Sequence, residues 1–184
     1  HLPSENFLSW AILMSQYMKM KGAQVMREND IDIIHAHDWL SALAGISLKH
    51  IFRKPLVATI HSTEYGRRNG IHEHFQNIVH QIEYQLSYEA WKIICCSYFM
   101  KSEIQKIFSC PSDKINVIPN GVDETKFMFP FDYNMRKKYA FPWEKIVLFV
   151  GRLFPEKGCD LLLGAAPFIL KKHPEAKFII AGDG

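Results

Sequence analysis

The chain reads as α/β: two Rossmann-like, doubly wound parallel-sheet domains, the second only begun. Three features of its 184 residues carry that reading. Helical and strand patterns alternate from end to end, which makes parallel strands with right-handed crossovers the economical architecture. The run Ile146-Val147-Leu148-Phe149-Val150 stops at Gly151 and passes, through a turn framed by Pro155 and Gly158, into an apolar-periodic helix. A strand ending at Pro119-Asn120-Gly121 is followed by a stretch without periodicity up to Trp143. These divide the chain into a first domain over 1–123, a linker over 124–143 and the start of a second domain over 144–184.

In chain order, Ser4 or Asn6 caps a helix running to about Glu28, with Phe7, Trp10, Ala11, Met14, Tyr17, Met18 and Val25 on one face as candidate core. Residues 30–35 read as a strand, and the loop Ala36-His37-Asp38-Trp39 leads into a helix over 40–52. Residues 56–60 form a strand ending at His61, and 62–70, polar and bounded by glycine, read as a loop. A helix over 73–90, a strand over 92–96, a helix over 98–108 and a strand over 115–118 complete the first domain. A short helix is expected over 134–139. The apolar run to Val150 reads as a strand buried on both faces because it does not alternate. A helix to about Lys172 and a strand over 176–181 follow.

Composition narrows the functional classes. An apolar fraction of 48% with 22% charged residues is that of a globular chain, and a net charge of +3 gives no reason to expect nucleic acid. No apolar run approaches a bilayer span. Cys95, Cys96, Cys110 and Cys159 lack C-x-x-C spacing, and the adjacent pair reads as small hydrophobes, so a reducing, cytoplasmic setting is expected. The chain begins at His1 rather than Met, so a longer natural N-terminus is compatible with it.

Arg152 and Lys157, five residues apart, fall on a strand-to-helix turn at the carboxyl end of a parallel strand. Ligands bind at that edge of open α/β sheets, and two cations beside a helix N-terminus suit a diphosphate. His61 closes a buried strand at the same kind of edge as Asp38 and the 119–121 turn, where an imidazole can donate to a ligand while a backbone group fixes its tautomer. His35 and His37 share a strand face, and His72-Glu73-His74 is a second cluster. Neither has a third ligand at a metal-site spacing, so no metal is assigned, and His35 reads as a buried strand residue. No G-x-S-x-G, G-x-G-x-x-G or P-loop pattern occurs, which removes those hydrolase and nucleotide-binding signatures.

Four motifs in order then resemble one family. His35-Ala36-His37-Asp38-Trp39 resembles the HAHDW segment of bacterial and archaeal glycogen and starch synthases, and Thr59-Ile60-His61 their T-[IV]-H strand end. Ile118-Pro119-Asn120-Gly121-Val122-Asp123 resembles the IPNGVD junction. Val150-Gly151-Arg152-Leu153-Phe154-Pro155-Glu156-Lys157-Gly158 resembles VGRL-x-x-x-KG, with residues 179–184 as the following G-x-G strand end. The chain is thus similar to the retaining nucleotide-sugar glycosyltransferases of the GT-B fold, families four and five.

The resemblance implies an acceptor-side first domain lacking its first strands and a second domain that binds an ADP- or UDP-sugar. It implies that Arg152 and Lys157 neutralise the donor diphosphate and that His61 contacts the donor sugar across an interdomain cleft. Asp38 and Trp39 would line the sugar or acceptor side, Asn120 and Gly121 would form the turn at the cleft floor, and Gly151 and Gly184 would be further substrate-binding residues. No metal or other cofactor is expected, and the acceptor is expected to be an α-glucan. A lipid or small-sugar acceptor, or a non-catalytic binding module, are the alternatives. The Gly-rich loop and the paired glutamates of such enzymes lie outside this sequence, so the 184-residue piece is expected to be a fragment with negligible activity.

Overall fold

The structure is a computed structural model that describes residues 6–130 and 132–184. The chain divides into two compact units, His1–Gly121 and Val122–Gly184. In the first unit, α1 (Phe7–Glu28) starts at Asn6, whose side chain accepts the Ser9 N–H at 2.9 Å. The alternative cap, Ser4, lies outside the described residues. There follow β1 (Ile34–His37), α2 (Asp38–Phe52), β2 (Leu56–Ile60), α3 (Glu64–Arg68), α4 (His74–Glu89), β3 (Lys92–Cys95), α5 (Tyr98–Phe108) and β4 (Ile115–Val117).

All four strands are parallel in the order β1-β2-β3-β4. The buried cluster joins one face of this sheet, with Ile34, Ala36, Leu56, Ala58, Ile60, Ile93, Cys95 and Ile115, to Ala42 and Leu48 of α2, Leu86 of α4 and Ile104 of α5. Helix α1 packs on α2.

Three expectations change here. Strand β1 begins at Ile34 rather than Asp30 and extends through His37, because the parallel register with β2 runs from Ile34↔Leu56 to His37↔Thr59. On α1 the inward face is Ala11 and Ser15, with Ala23 and Met26 against the core. Tyr17, Met18 and Val25 are exposed, since packing on α2 uses a narrower stripe than the apolar periodicity marks. Residues 62–70 are not simply a loop. Thr63 caps α3 by accepting the Gly66 N–H at 2.9 Å, and Asn69 ends it in the left-handed region.

The second unit holds a 3-10 turn (Glu124–Phe127), α6 (Tyr133–Tyr139), β5 (Lys145–Val150), a 3-10 turn (Pro155–Lys157), α7 (Cys159–Lys172) and β6 (Ala176–Ala181). Strands β5 and β6 pair in parallel over six residues, from Lys145↔Ala176 to Val150↔Ala181. Strand β5 is not buried on both faces: Leu148 is 59% and Val150 73% exposed. A two-stranded sheet crossed by one helix has too little around it to cover both sides. Among the described residues no helix is long and apolar enough to cross a membrane.

Candidate functional site

The carboxyl edge of the first sheet gathers most of the candidates, and parity explains why. Alternation along β1 sends Ile34 and Ala36 into the core and His35 and His37 to the opposite face. The register sets His37 beside Thr59 and Ile60 beside Cys95, so His61 and Cys96, one residue further along, emerge on the same face as His37. The His35 and His37 rings lie 4.3 Å apart, and the His37 and His61 rings are stacked at 5.6 Å. His35 lies on the face opposite the core and is exposed rather than buried. Its Nε2 lies 2.7 Å from Thr59 Oγ1. Partial burial, then the neighbouring His37 and His61 imidazoles, hold its pKa below the ordinary histidine value. Among the described residues no three His, Cys, Asp or Glu side chains are arranged to hold a metal ion.

Around His61 the contacts close into a chain. The His61 N–H donates to Asp38 Oδ1 at 2.8 Å. Its ring nitrogen Nε2 lies 3.3 Å from His37 Nδ1, and its Nδ1 lies 3.4 Å from Cys96 Sγ. The thiol in turn donates to Asn120 Oδ1 at 3.5 Å. Asp38, His61 and Asn120 are therefore brought together, as the sequence suggests, through a cysteine it does not single out. Cys96 is not a core residue like its neighbour. Cys95 is buried, whereas Cys96 points to the edge. The group that engages His61 Nδ1 is a thiol, not the backbone group expected.

Asp38 sits at a strained point. Its φ is +53°, in the left-handed region that aspartate tolerates better than most side chains. Ser41 Oγ steadies the junction by accepting the His37 N–H and donating to the His37 carbonyl, both at 2.7 Å. Trp39 lies apart from the polar chain. Its indole meets Phe7 and Phe75 edge-on at 6.0 and 6.3 Å and packs against the core. Gly121 follows Asn120 on the exposed turn.

The segment after His61 is pinned by a buried charge cluster. Glu83 of α4, 3% exposed, accepts the Glu64 N–H through both oxygens at 3.0 and 2.9 Å and pairs with Arg67 at 3.3 Å. Arg67 also bridges Glu64 at 2.7 Å and donates to Ser62 Oγ at 2.6 Å. Burial outweighs these contacts and raises the Glu83 pKa from 4.5 to about 7. Thr63 Oγ1 donates to Glu103 of α5 at 2.5 Å. Two helices thus hold the residues directly behind His61.

In the second unit, Gly151, Arg152 and Lys157 occupy the junction from β5 to α7. The Gly151 N–H donates to Ala181 O at 3.0 Å and the Leu153 N–H to Asp183 O at 2.9 Å, continuing the β5–β6 pairing past the strand ends. Gly182 approaches so closely that a Cβ on it would collide with the Gly151 carbonyl oxygen, and one on Gly184 would stand 3.1 Å from the Leu153 backbone. Gly158 turns into α7 at φ +71°. The Arg152 side chain, 65% exposed, touches Glu156 at 3.4 Å and lies 5.2 Å over the Phe154 ring, and Lys157 is exposed on the 3-10 turn. Both cations are free to engage an anion with little ion-pair energy to lose.

Cys96 and Glu83 are the neighbours that motif reading misses, while His37 and Gly182 lie inside recognised motifs without an assigned role. Cys96 follows from strand parity and register; Glu83 lies 22 residues from His61 and only the folded chain joins them.

Residues 3–126 match the family model for Glycosyltransferase Family 4, and residues 132–184 that for Glycosyl transferases group 1. An uncharacterized glycosyltransferase of Methanocaldococcus jannaschii is 39% identical over 97% of this chain and 47% of its own length. A glycogen synthase of Mycobacterium tuberculosis is 34% identical over 97% of this chain and 43% of its own. An Anabaena protein crystallised with UDP-glucose superposes with a TM-score of 0.71 at 21% identity, over 90% of this chain and 43% of that one. At that identity the superposition speaks for the fold, which is the GT-B type the motifs imply. The chain spans about half the length of these relatives.

Proposed function

The chain belongs to Glycosyltransferase Family 4, and from that premise we propose that the protein containing it moves a hexosyl group, glucosyl in the first instance, from a nucleotide-sugar donor to an acceptor hydroxyl. The observation that carries the reading is the gathering of Asp38, His61, Cys96 and Asn120 from four strand ends onto one sheet edge. Similarity to a glycogen synthase supports an α-glucan acceptor, and the fold shared with a UDP-glucose-bound protein supports a nucleotide-sugar donor.

In this proposal Arg152 and Lys157 hold the diphosphate and balance the charge that grows on it as the glycosidic bond lengthens. Placed where charge develops, they lower the barrier electrostatically and do the work a metal ion would otherwise do. His61 meets a hydroxyl of the donor sugar, oriented by Asp38 on its backbone and by Cys96 on its ring. Gly151 and Gly184 keep the second-unit turn slim enough for the diphosphate to approach the backbone. The acceptor oxygen attacks C1 on the face the diphosphate leaves and passes its proton to the departing diphosphate oxygen, so the anomeric configuration is retained without a protein nucleophile.

The test is a transfer assay on the full-length protein with radiolabelled ADP- and UDP-glucose against glycogen, small sugars and a lipid acceptor. Label entering glycogen is the expected result, abolished by Arg152→Ala or Lys157→Ala. Label entering only a small or lipid acceptor would replace the α-glucan. No transfer from either nucleotide sugar would favour a non-catalytic module and overturn the proposal.

A further inference from the structure

Four polar groups cross the sheet edge in a line, His37 Nδ1, His61 Nε2 and Nδ1, Cys96 Sγ and Asn120 Oδ1, with successive separations of 3.3, 3.4 and 3.5 Å. Each link needs one proton, and the donor inventory allows few arrangements. A thiol has one proton to give, a neutral imidazole has one N–H and one lone pair, and an amide oxygen only accepts. The Cys96 proton goes to Asn120 Oδ1, which leaves sulfur lone pairs facing His61 Nδ1. A contact between them then requires the proton on Nδ1. The lone pair falls on Nε2, where His37 Nδ1–H completes the line.

We infer that Cys96 is a positioning residue that holds the His61 imidazole in its Nδ1–H tautomer, so that Nε2 meets the donor as a hydrogen-bond acceptor. The consequence concerns which substrate group His61 recognises. An acceptor nitrogen pairs with a sugar hydroxyl and repels a phosphate oxygen, which has no proton to offer. A sugar hydroxyl competes for Nε2 with His37, whose bond at 3.3 Å is long and readily exchanged. The backbone is already committed elsewhere, since the His61 N–H is held by Asp38 and takes no part in choosing the tautomer. Cys96 carries this role without the bulk of a second aromatic ring. Cys95, one residue earlier, cannot, because it is buried on the opposite face with its own sulfur near the Ser97 and Asn116 carbonyls. The inference rests on the proposed contact between His61 and the donor sugar, and it adds the direction of that hydrogen bond.

The experiment uses the full-length protein with 15N-labelled histidine, as wild type, Cys96→Ser and Cys96→Ala, with His61→Gln to identify the resonance. Imidazole spectra at neutral pH are read beside steady-state kinetics with the nucleotide sugar. In the wild type Nδ1 shows the pyrrole-type and Nε2 the pyridine-type signal. Cys96→Ser keeps this pattern, because a hydroxyl also gives one proton and accepts another. Cys96→Ala lets the Nε2–H form appear and raises the donor KM on the order of tenfold, the worth of one aligned hydrogen bond. A wild-type Nε2–H signal, or an unchanged tautomer in Cys96→Ala, overturns the positioning role whatever the kinetics. A tautomer that shifts as expected with an unchanged KM leaves the thiol–imidazole geometry standing and removes His61 from the sugar contact.

Discussion

Replacing Asp38 separates two things the residue does at once. Its carboxylate accepts the His61 N–H at 2.8 Å, and its backbone holds φ at +53°. A hydrogen bond to a charged acceptor contributes about 1.5–3 kcal/mol, and the lower end applies here because water can reach the exposed His61 N–H. A left-handed residue with a Cβ costs roughly 1–2 kcal/mol, less for aspartate and asparagine and nothing for glycine. Asp38→Asn keeps both the acceptor and the tolerated backbone, so it loses under about 1 kcal/mol. Asp38→Gly loses the bond but relieves the backbone, while Asp38→Ala loses the bond and keeps the strain, for about 2 kcal/mol or more. The predicted order of damage is therefore Asn, Gly, Ala. Urea titration of the full-length variants, followed by tryptophan fluorescence, measures it. Asp38→Gly proving as destabilising as Asp38→Ala would show that the left-handed backbone contributes nothing, and Asp38→Ala matching wild type would remove the His61 bond from the account.

Other perturbations probe the remaining parts. Gly182→Ala sets a Cβ against the Gly151 carbonyl oxygen, so it should cost about 1–3 kcal/mol or more and disturb the turn carrying Arg152; thermal melts and donor binding on one preparation check both effects. Glu83 binds a proton more tightly folded, at about pH 7, than unfolded, near 4.5. Its contribution to stability is therefore complete below the lower value, declines as pH rises between them, and is lost above pH 7, a change of about 3 kcal/mol. Melting curves across that range should flatten in Glu83→Gln relative to wild type, and parallel curves would contradict the assignment. Brief treatment of the native protein with iodoacetamide should label Cys96 before Cys95, Cys110 or Cys159, which are buried, as peptide mass mapping will show. Equal labelling of all four would mean the edge thiol is not distinguished by its exposure.

How much the sequence reveals depends on the range of the interaction involved. Strand β2 and helix α5 lie where periodicity places them, because their caps and breakers are local: Ser97 caps α5 by accepting the Met100 N–H. Strand β1 is displaced because Asp30-Ile31-Asp32-Ile33 alternates as well as Ile34-His35-Ala36-His37 does, and only pairing with β2 decides between them. The short helix α3 is invisible to composition. Its stability comes from Glu83 and Glu103, 19 and 40 positions downstream of the groups they hold. His61 and Asn120 are legible from their strand-end positions. Cys96 is not, since its neighbour Cys95 shares its chemistry and parity alone separates the core thiol from the edge thiol. The burial of β5 is not legible in its sequence, because an uninterrupted apolar run reports what a strand tolerates and not what surrounds it.

The central claim is a division of labour on the donor: Arg152 and Lys157 on the diphosphate, His61 on the sugar. Calorimetric titration of the full-length protein with a free nucleoside diphosphate and with the corresponding nucleotide-glucose, for wild type, Arg152→Ala, Lys157→Ala and His61→Ala, tests it directly. Loss of a charge-assisted contact of about 1.5–3 kcal/mol should weaken both ligands by on the order of tenfold to a hundredfold in each cation variant. His61→Ala should weaken only the nucleotide-glucose and leave the free diphosphate unchanged. Undiminished diphosphate binding in Arg152→Ala and Lys157→Ala, or equal loss of both ligands in His61→Ala, would contradict that division.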